Sequence, residues 1–155
     1  MTADTDISSL AHDADPAAKK AFNANVLAQF RANHGQIISG PLAGLPSLIL
    51  HTVGAKSGNP VETPLFRFDH NDRRYVIAAF AGSPVNPAWA HNLWAHPSVV
   101  VEVADETYDA TARELPRQER DALWPFLIEQ NPSFTDYQEQ TKRTIPIFEL
   151  QRSTA

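Results

Sequence analysis

The chain has 155 residues, of which 43% are apolar; it contains no cysteine, and its formal net charge is −5 at pH 7. This length suits one domain with one hydrophobic core. The missing cysteine excludes disulfides, thiolate catalysis and Cys-ligated metals. The acidic balance argues against a protein that binds nucleic acid through a broad basic face. The sequence contains no run of about 18 apolar residues, so no membrane-spanning helix is predicted.

Residues 1–15 contain four aspartates and neither lysine nor arginine. A secretory signal has a basic start and an apolar core, and this segment has neither. We therefore expect a flexible tail over residues 1–15, a single domain over residues 16–155, and cytoplasmic localisation.

Apolar periodicity predicts the secondary structure in chain order. A helix is expected over residues 16–33, because Phe22, Val26 and Phe30 recur at four-residue spacing. Strands follow at residues 47–53, 61–69, 74–80, 98–104, 106–115 and 145–150, and short helices at residues 87–96, 117–130 and 132–141. Short strands, hairpin turns and few helices predict an α+β fold with a small barrel of about six mostly antiparallel strands. No GxGxxG motif follows a strand, so a Rossmann domain is not expected.

The segment Thr52–Gly58 joins two predicted strands and has the composition of a phosphate-binding loop. Its two glycines allow a tight turn in which backbone N–H groups converge on an anion. Lys56 adds a positive charge and Ser57 a hydroxyl donor. The spacing is not that of a Walker P-loop. A plain glycine-rich hairpin with an exposed lysine explains the same residues equally well.

A second segment leads from a buried strand into a helix that starts near Ala88. A helix N-terminus offers unpaired N–H groups and a dipole that favours an anion or a polar ring edge. His91 and Asn92 either contact a ligand there or cap and pack locally. Trp89 either lines such a site or belongs to the core.

Phe134 and Tyr137 are three residues apart and therefore share a helix face. This face either closes over a planar ring or packs in the core. His91 and His96 are five residues apart, which is a poor spacing for joint metal ligation on a helix. The sequence therefore predicts no metal site.

These segments together resemble the family of deazaflavin-dependent nitroreductases and quinone reductases, which use coenzyme F-420 and belong to the FMN-binding split-barrel superfamily. The matching stretches keep their order and spacing between Leu45 and Leu150; they are residues 50–65, 86–97, 111–114, 132–137 and 143–147. The resemblance implies a split β-barrel with flanking helices, and one cofactor-binding domain over residues 16–155.

The resemblance also implies which residues form the site. In the family, the loop that here carries Ala55, Lys56 and Ser57 holds the cofactor phosphate and tail. The residues implied to lie beside the cofactor are Val61, Glu62, Thr63, Ile77, Ala78, Ala79, Phe80, Ala88, Trp89, Ala90, His91 and Asn92. Phe134 is implied to cover the deazaflavin ring, and Tyr137 to contact the acceptor as the catalytic residue.

The implied activity is hydride transfer from the reduced cofactor to an activated planar acceptor, such as a quinone, an enone or a nitroaromatic. The family often has basic or polar residues where this chain has Ala55, Val61 and Phe80. Fewer cations around an anionic tail make FMN an alternative cofactor. The other alternative is a protein that binds a cofactor or an apolar ligand without turnover. Split barrels of this kind are often dimers, so a homodimer is a further expectation.

Overall fold

The computed structural model describes residues 16–153, with side chains from residue 21 onwards. The tail expected over residues 1–15 lies outside the described residues. The helices are α1 Pro16–Ala32, α2 Ala88–Ala95, α3 Arg117–Gln130 and α4 Ser133–Glu139, and a 3-10 turn spans Phe80–Gly82. The strands are β1 Ser47–Val53, β2 Pro60–Phe66, β3 Phe68–His70, β4 Arg73–Ile77, β5 Ser98–Val103, β6 Glu106–Glu114 and β7 Ile147–Arg152.

All seven strands form one antiparallel sheet in the order β2-β1-β5-β6-β7-β4-β3. Its two edge strands, β2 and β3, are separated in sequence by Arg67 alone. The sheet must therefore curl until its two edges meet, because one residue cannot span an open sheet of seven strands. The result is a split barrel, and the α+β split-barrel prediction is confirmed.

Apolar residues alternate between the two faces of this sheet, as the period of a β-strand requires. In β4, Val76 points into the barrel and Ile77 points outwards. The interior cluster also takes Trp89 and Leu93 from α2, so this helix closes one end of the barrel. Outside, α3 and α4 cover one part of the sheet and α1 covers another. Because both faces are covered, β1 is an almost continuous apolar run.

The observed strands differ from the predicted ones at two breaks. The predicted strand 61–69 is divided at Arg67, whose N–H donates to the Pro46 carbonyl (3.0 Å) while its side chain donates to the Ser47 carbonyl (3.0 Å). The chain changes partner there, from β1 to β4, which yields the seventh strand. The predicted strand 74–80 ends at Ile77, because the backbone turns at Phe80. In the described part of the chain, no helix is both long and apolar enough to span a membrane.

Candidate active site

A cleft of about 830 Å³ lies where the β1–β2 connection, the start of β2 and the start of α2 meet. Asn23 of α1 also reaches this cleft. The lining residues are Asn23, Gly54, Ala55, Lys56, Ser57, Val61, Thr63, Pro64, Leu65, Phe80, Val85, Asn86, Pro87, Ala88, Trp89, His91 and Asn92. Most of the wall is apolar, and the β1–β2 connection contributes Lys56 and Ser57. Such a cleft suits a ligand with a planar apolar part and a polar or charged end.

The connection Gly54–Asn59, which we call the glycine loop, is closed by its own hydrogen bonds. The Gly54 N–H donates to the Asn59 carbonyl (2.8 Å), and the Gly58 N–H donates to the Gly54 carbonyl (3.0 Å). The Asn59 N–H donates to Ser57 Oγ (3.1 Å). A Cβ atom on Gly54 would lie 2.3 Å from Ser57 Oγ, so a larger residue here would displace the Ser57 hydroxyl. The loop is a compact, prearranged turn.

Asn92 ties the glycine loop to α2. Its side chain is buried, its Oδ1 accepts a hydrogen bond from the Ala55 N–H (2.9 Å), and its Nδ2 donates to Thr52 Oγ1 (3.0 Å). The amide thus gives the buried Thr52 hydroxyl a donor and the Ala55 N–H an acceptor. Asn92 lines the cleft and also braces the loop that carries Lys56.

Lys56 is exposed, and no carboxylate of residues 21–153 lies within ion-pair distance of it. Its charge is therefore available to an anion that enters the cleft. Ser57 supplies a hydroxyl beside it, and Trp89 and Phe80 supply aromatic surface farther along the wall. These donors and walls fit a planar cofactor with a phosphate group.

A left-handed turn, Phe80–Gly82, borders the cleft between β4 and α2. The three residues have φ angles of 50°, 54° and 79°. For Phe80 and Ala81 this conformation costs on the order of 1–3 kcal/mol each, so the surroundings must hold it. At Gly82 a Cβ atom would lie 2.9 Å from the Tyr137 carbonyl oxygen. Helix α4 therefore packs directly against the turn.

Arg143 holds the left-handed turn through four hydrogen bonds. Its guanidinium donates to the carbonyls of Ala78 (3.0 Å), Ala79 (2.7 Å) and Ser83 (2.9 Å), and to Asn86 Oδ1 (2.7 Å). Burial lowers the pKa of Arg143. The guanidinium therefore sits where desolvation opposes its charge, and the four oxygens compensate for lost water.

Several residues that the resemblance places beside the cofactor do not line the cleft. Ala78 and Ala90 lie in the barrel core, and Ile77 and Ala79 lie in the cluster under α3 and α4. Ala55, Lys56, Ser57, Val61, Thr63, Phe80, Ala88, Trp89, His91 and Asn92 do line the cleft.

The aromatic pair of α4 lies behind the left-handed turn. Phe134 is buried, and its ring contacts those of Tyr137 and Phe66, each with centroids 5.6 Å apart, and that of Trp124 at 6.5 Å. Tyr137 is half-buried and packs against the same cluster. Neither residue is part of the cleft wall.

Glu62 belongs to an ion cluster on the outer face of the sheet. Arg31 of α1 donates to Glu62 and to Glu102, both at 2.7 Å, and His51 Nε2 lies 2.5 Å from Glu102 Oε2. His51, Glu62 and Glu102 are close enough together to hold a metal ion. The cation found on both carboxylates is Arg31, however. Its hydrogen bond is the main reason that the pKa of Glu102 is lowered, and the cluster fastens α1 to the sheet.

Three polar residues at or beside the cleft, Asn23, Asn86 and Arg143, were not singled out from the sequence. Asn86 and Arg143 each lie in a stretch that resembles the family. The resemblance identifies these segments but does not predict which hydrogen bonds the two residues make. Asn23 carried no signal, because α1 is recognisable only by its apolar spacing. The long-range docking of α1 on β2 brings Asn23 to the cleft.

Comparison with known proteins places this geometry in a family. The sequence profile of the F-420H(2)-dependent quinone reductases matches residues 23–152. An F-420H(2)-dependent quinone reductase of Mycobacterium tuberculosis is 35% identical over 126 residues, which cover 79% of this chain and 85% of that protein. A solved F-420-H2 dependent reductase (FDR-A) is 37% identical and superposes with a TM-score of 0.62, covering 68% of this chain and 94% of the other.

A second solved structure, described as a domain-swapped dimer, is 30% identical with a TM-score of 0.65. It covers 88% of this chain and 100% of the other. The profile match extends over most of the chain, and both the mycobacterial relative and FDR-A exceed 30% identity over two thirds of it. The chain therefore belongs to the F-420H(2)-dependent quinone reductase family.

Proposed function

We propose that this protein is an F-420-dependent reductase that passes a hydride from the reduced cofactor to an activated planar acceptor: a quinone, an enone or a nitroaromatic. The observation that carries the proposal is the cleft, which joins a braced glycine loop and an unpaired lysine to an apolar aromatic wall. Family membership supplies the cofactor class.

The cleft divides the binding task between two ends. At one end, the Lys56 ammonium, the Ser57 hydroxyl and the glycine loop hold the phosphate and the anionic tail. At the other end, Val61, Phe80 and Trp89 receive the ring and keep water away from it. A deazaflavin bound there supplies the hydride, and the protein binds it, orients it and excludes solvent.

We propose Tyr137 as the residue that contacts the acceptor and donates a hydrogen bond or a proton to it. Its position on α4, packed against the left-handed turn that borders the cleft, supports this role. Tyr137→Phe should reduce kcat by roughly 10-fold or more, the value of one lost hydrogen bond to a developing charge, and leave the dissociation constant of F-420 unchanged. Turnover equal to that of the wild type would remove Tyr137 from the mechanism.

Parallel titrations with F-420 and FMN, followed by fluorescence, test the cofactor assignment. We expect saturable binding of F-420 at micromolar concentration or tighter. Oxidation of reduced F-420 with menadione as acceptor then tests turnover. Binding without turnover would leave a cofactor-binding protein, and binding of neither compound would sink the reductase proposal.

FMN is retained as the second candidate cofactor because of one feature of the cleft. Ala55, Val61 and Phe80 place no charge on its wall, and Lys56 is the one Lys or Arg side chain among the described lining residues. A single cation suits one phosphate better than a long anionic tail. Tighter binding of FMN than of F-420 would move the protein to the FMN-dependent enzymes of the same fold.

We further propose that the protein acts in the cytoplasm and forms a homodimer. A domain-swapped dimer among the similar structures supports the dimer. Light scattering coupled to size-exclusion chromatography gives the mass directly, and a monomeric mass at working concentration would contradict it. Cell fractionation with an antibody tests the location.

A further inference from the structure

The guanidinium of Arg143 links the two sides of the left-handed turn. Its acceptors Ala78 and Ala79 precede the turn, and its acceptors Ser83 and Asn86 follow it. One side chain thus closes the segment 78–86 into a fixed loop. This segment connects β4 to α2. Its residues Phe80, Val85 and Asn86 line the cleft.

Arg143 does not act as half of an ion pair within residues 21–153. Arg31, Arg74 and Arg113 each lie within 3.2 Å of a carboxylate, whereas the partners of Arg143 are three carbonyls and one amide oxygen. Four acceptors in different directions match the planar fork of arginine and not the single ammonium of lysine. Arg143 therefore acts through directional hydrogen bonds to neutral oxygens and not through an ion pair.

We propose that Arg143 is a positioning residue that sets the left-handed turn in its ligand-ready conformation before the cofactor binds, and thereby sets the affinity for the cofactor. This inference rests on the proposed function. Phe80 and Ala81 are held in a conformation that L-residues seldom adopt. Without the guanidinium, the segment loses the bonds that join its two ends and relaxes more readily to ordinary backbone angles, which moves Phe80 off the wall.

The wild-type protein without cofactor provides the first test, by hydrogen exchange. The amides of Gly82 and Ser83 donate within the turn, to the carbonyls of Ala79 (3.0 Å) and Phe80 (3.0 Å). A turn that is set in advance protects these two amides in the absence of any ligand. Fast exchange at both positions in the unliganded wild type would overturn the proposal, whatever any variant does.

The second test is Arg143→Lys, which keeps the charge and most of the volume but removes the fork. Affinity falls in proportion to the fraction of molecules in the competent conformation, so we expect F-420 to bind about tenfold more weakly or worse. Exchange at Gly82 and Ser83 should become faster. Arg74→Lys is the matched control, since Arg74 lies at the opposite end of β4 and bonds to Asp69 (2.9 Å) and Tyr108 (2.8 Å). Its F-420 affinity should equal that of the wild type.

Rescue separates positioning from general loss of structure. In Arg143→Ala, added guanidinium ion should restore F-420 binding and slow the exchange of Gly82 and Ser83, whereas methylammonium should do neither. An Arg143→Lys protein that folds and binds F-420 with wild-type affinity would overturn the inference while leaving the reductase assignment intact. If the wild-type protein itself does not bind F-420, the proposed function is contradicted instead.

Discussion

Two concave regions of this molecule differ in how their charges are arranged. The first is the cleft of about 830 Å³, with Lys56 unpaired among the described residues and apolar walls. The second, which we call the charged pocket, has a volume of about 580 Å³ and is lined by residues 69–74, Glu106, Tyr108 and residues 149–152. It contains more arginine than the cleft, and a count of cations alone would have chosen it as the anion site.

Each arginine of the charged pocket is already satisfied. Arg74 bonds to Asp69 at 2.9 Å, Arg152 pairs with Glu106, and Arg73 lies 3.9 Å from Glu149. An anion entering there must compete with resident carboxylates, whereas an anion at Lys56 meets no rival among the described residues. An unpaired charge beside an apolar wall therefore indicates a binding site, whereas paired charges mainly stabilise the fold.

The largest effect we expect comes from Asn92→Leu, which removes the brace of the glycine loop. The change leaves the buried Thr52 hydroxyl without its donor and the Ala55 N–H without its acceptor. The free energy of unfolding should fall by about 2–4 kcal/mol, and F-420 affinity should fall with it because the loop is no longer held. Urea denaturation and a cofactor titration measure the two effects.

Thr52→Val is the companion variant, because it deletes one of the two hydrogen bonds of Asn92 and keeps the shape of the side chain. Its loss of stability should be about half as large. If Asn92→Leu had the same urea midpoint of unfolding as the wild type, the Asn92 amide would not stabilise the glycine loop.

The next effect tests the comparison directly, by neutralising one cation in each region. Lys56→Met should weaken F-420 binding by about 1.5–3 kcal/mol, roughly 10- to 150-fold, without changing the urea midpoint. Arg74→Met, in the charged pocket, should lower stability and leave the affinity for F-420 unchanged. Binding to the wild type should also weaken as salt is added. Equal losses of affinity in both variants would show that the cations of the cleft and of the charged pocket contribute equally to F-420 binding.

The local parts of this architecture were predictable from the sequence. A short apolar run that ends at a glycine identifies β1, whose predicted and observed bounds agree. The glycine loop is contiguous, so its glycines, Lys56 and Ser57 can be recognised together before any folding is considered. The short helix α2 has prolines just before it and just after it, which mark both ends.

The tertiary parts were not predictable from spacing. Arg31 lies 71 residues from Glu102, and Arg143 lies 60 residues from Ser83; only the curled sheet brings these groups together. The left-handed turn runs through Phe80 and Ala81, which have no intrinsic preference for positive φ, so contacts from Arg143 and α4 must impose it. Apolar spacing also cannot tell whether an aromatic pair such as Phe134 and Tyr137 faces a ligand or a core.

The smallest effect concerns the ion cluster that fastens α1, and it extends the comparison to a third group of charges. Glu102 faces Arg31 from α1, His51 from β1 and Glu62 from β2, and Arg31 is the main cause of its lowered pKa. A carboxyl group whose pKa is lower in the folded state than in the unfolded state stabilises the fold above the unfolded value of 4.5. That stabilisation is lost as the pH falls through the lower, folded value.

Arg31→Gln should therefore lower the stability at pH 7 by less than about 1 kcal/mol, because the Arg31 side chain is 44% exposed and water screens the pair. The difference between variant and wild type should shrink as the pH falls from 4.5 through the lower pKa of Glu102 in the folded protein. Urea denaturation at stepwise lower pH measures this convergence, and a difference that stayed constant into acid would assign the loss to packing of Arg31 instead. Because these charges are paired and lie outside the cleft, F-420 affinity should change far less than in Lys56→Met. A large loss of affinity would mean that α1, through Asn23, contributes to cofactor binding and not only to the fold.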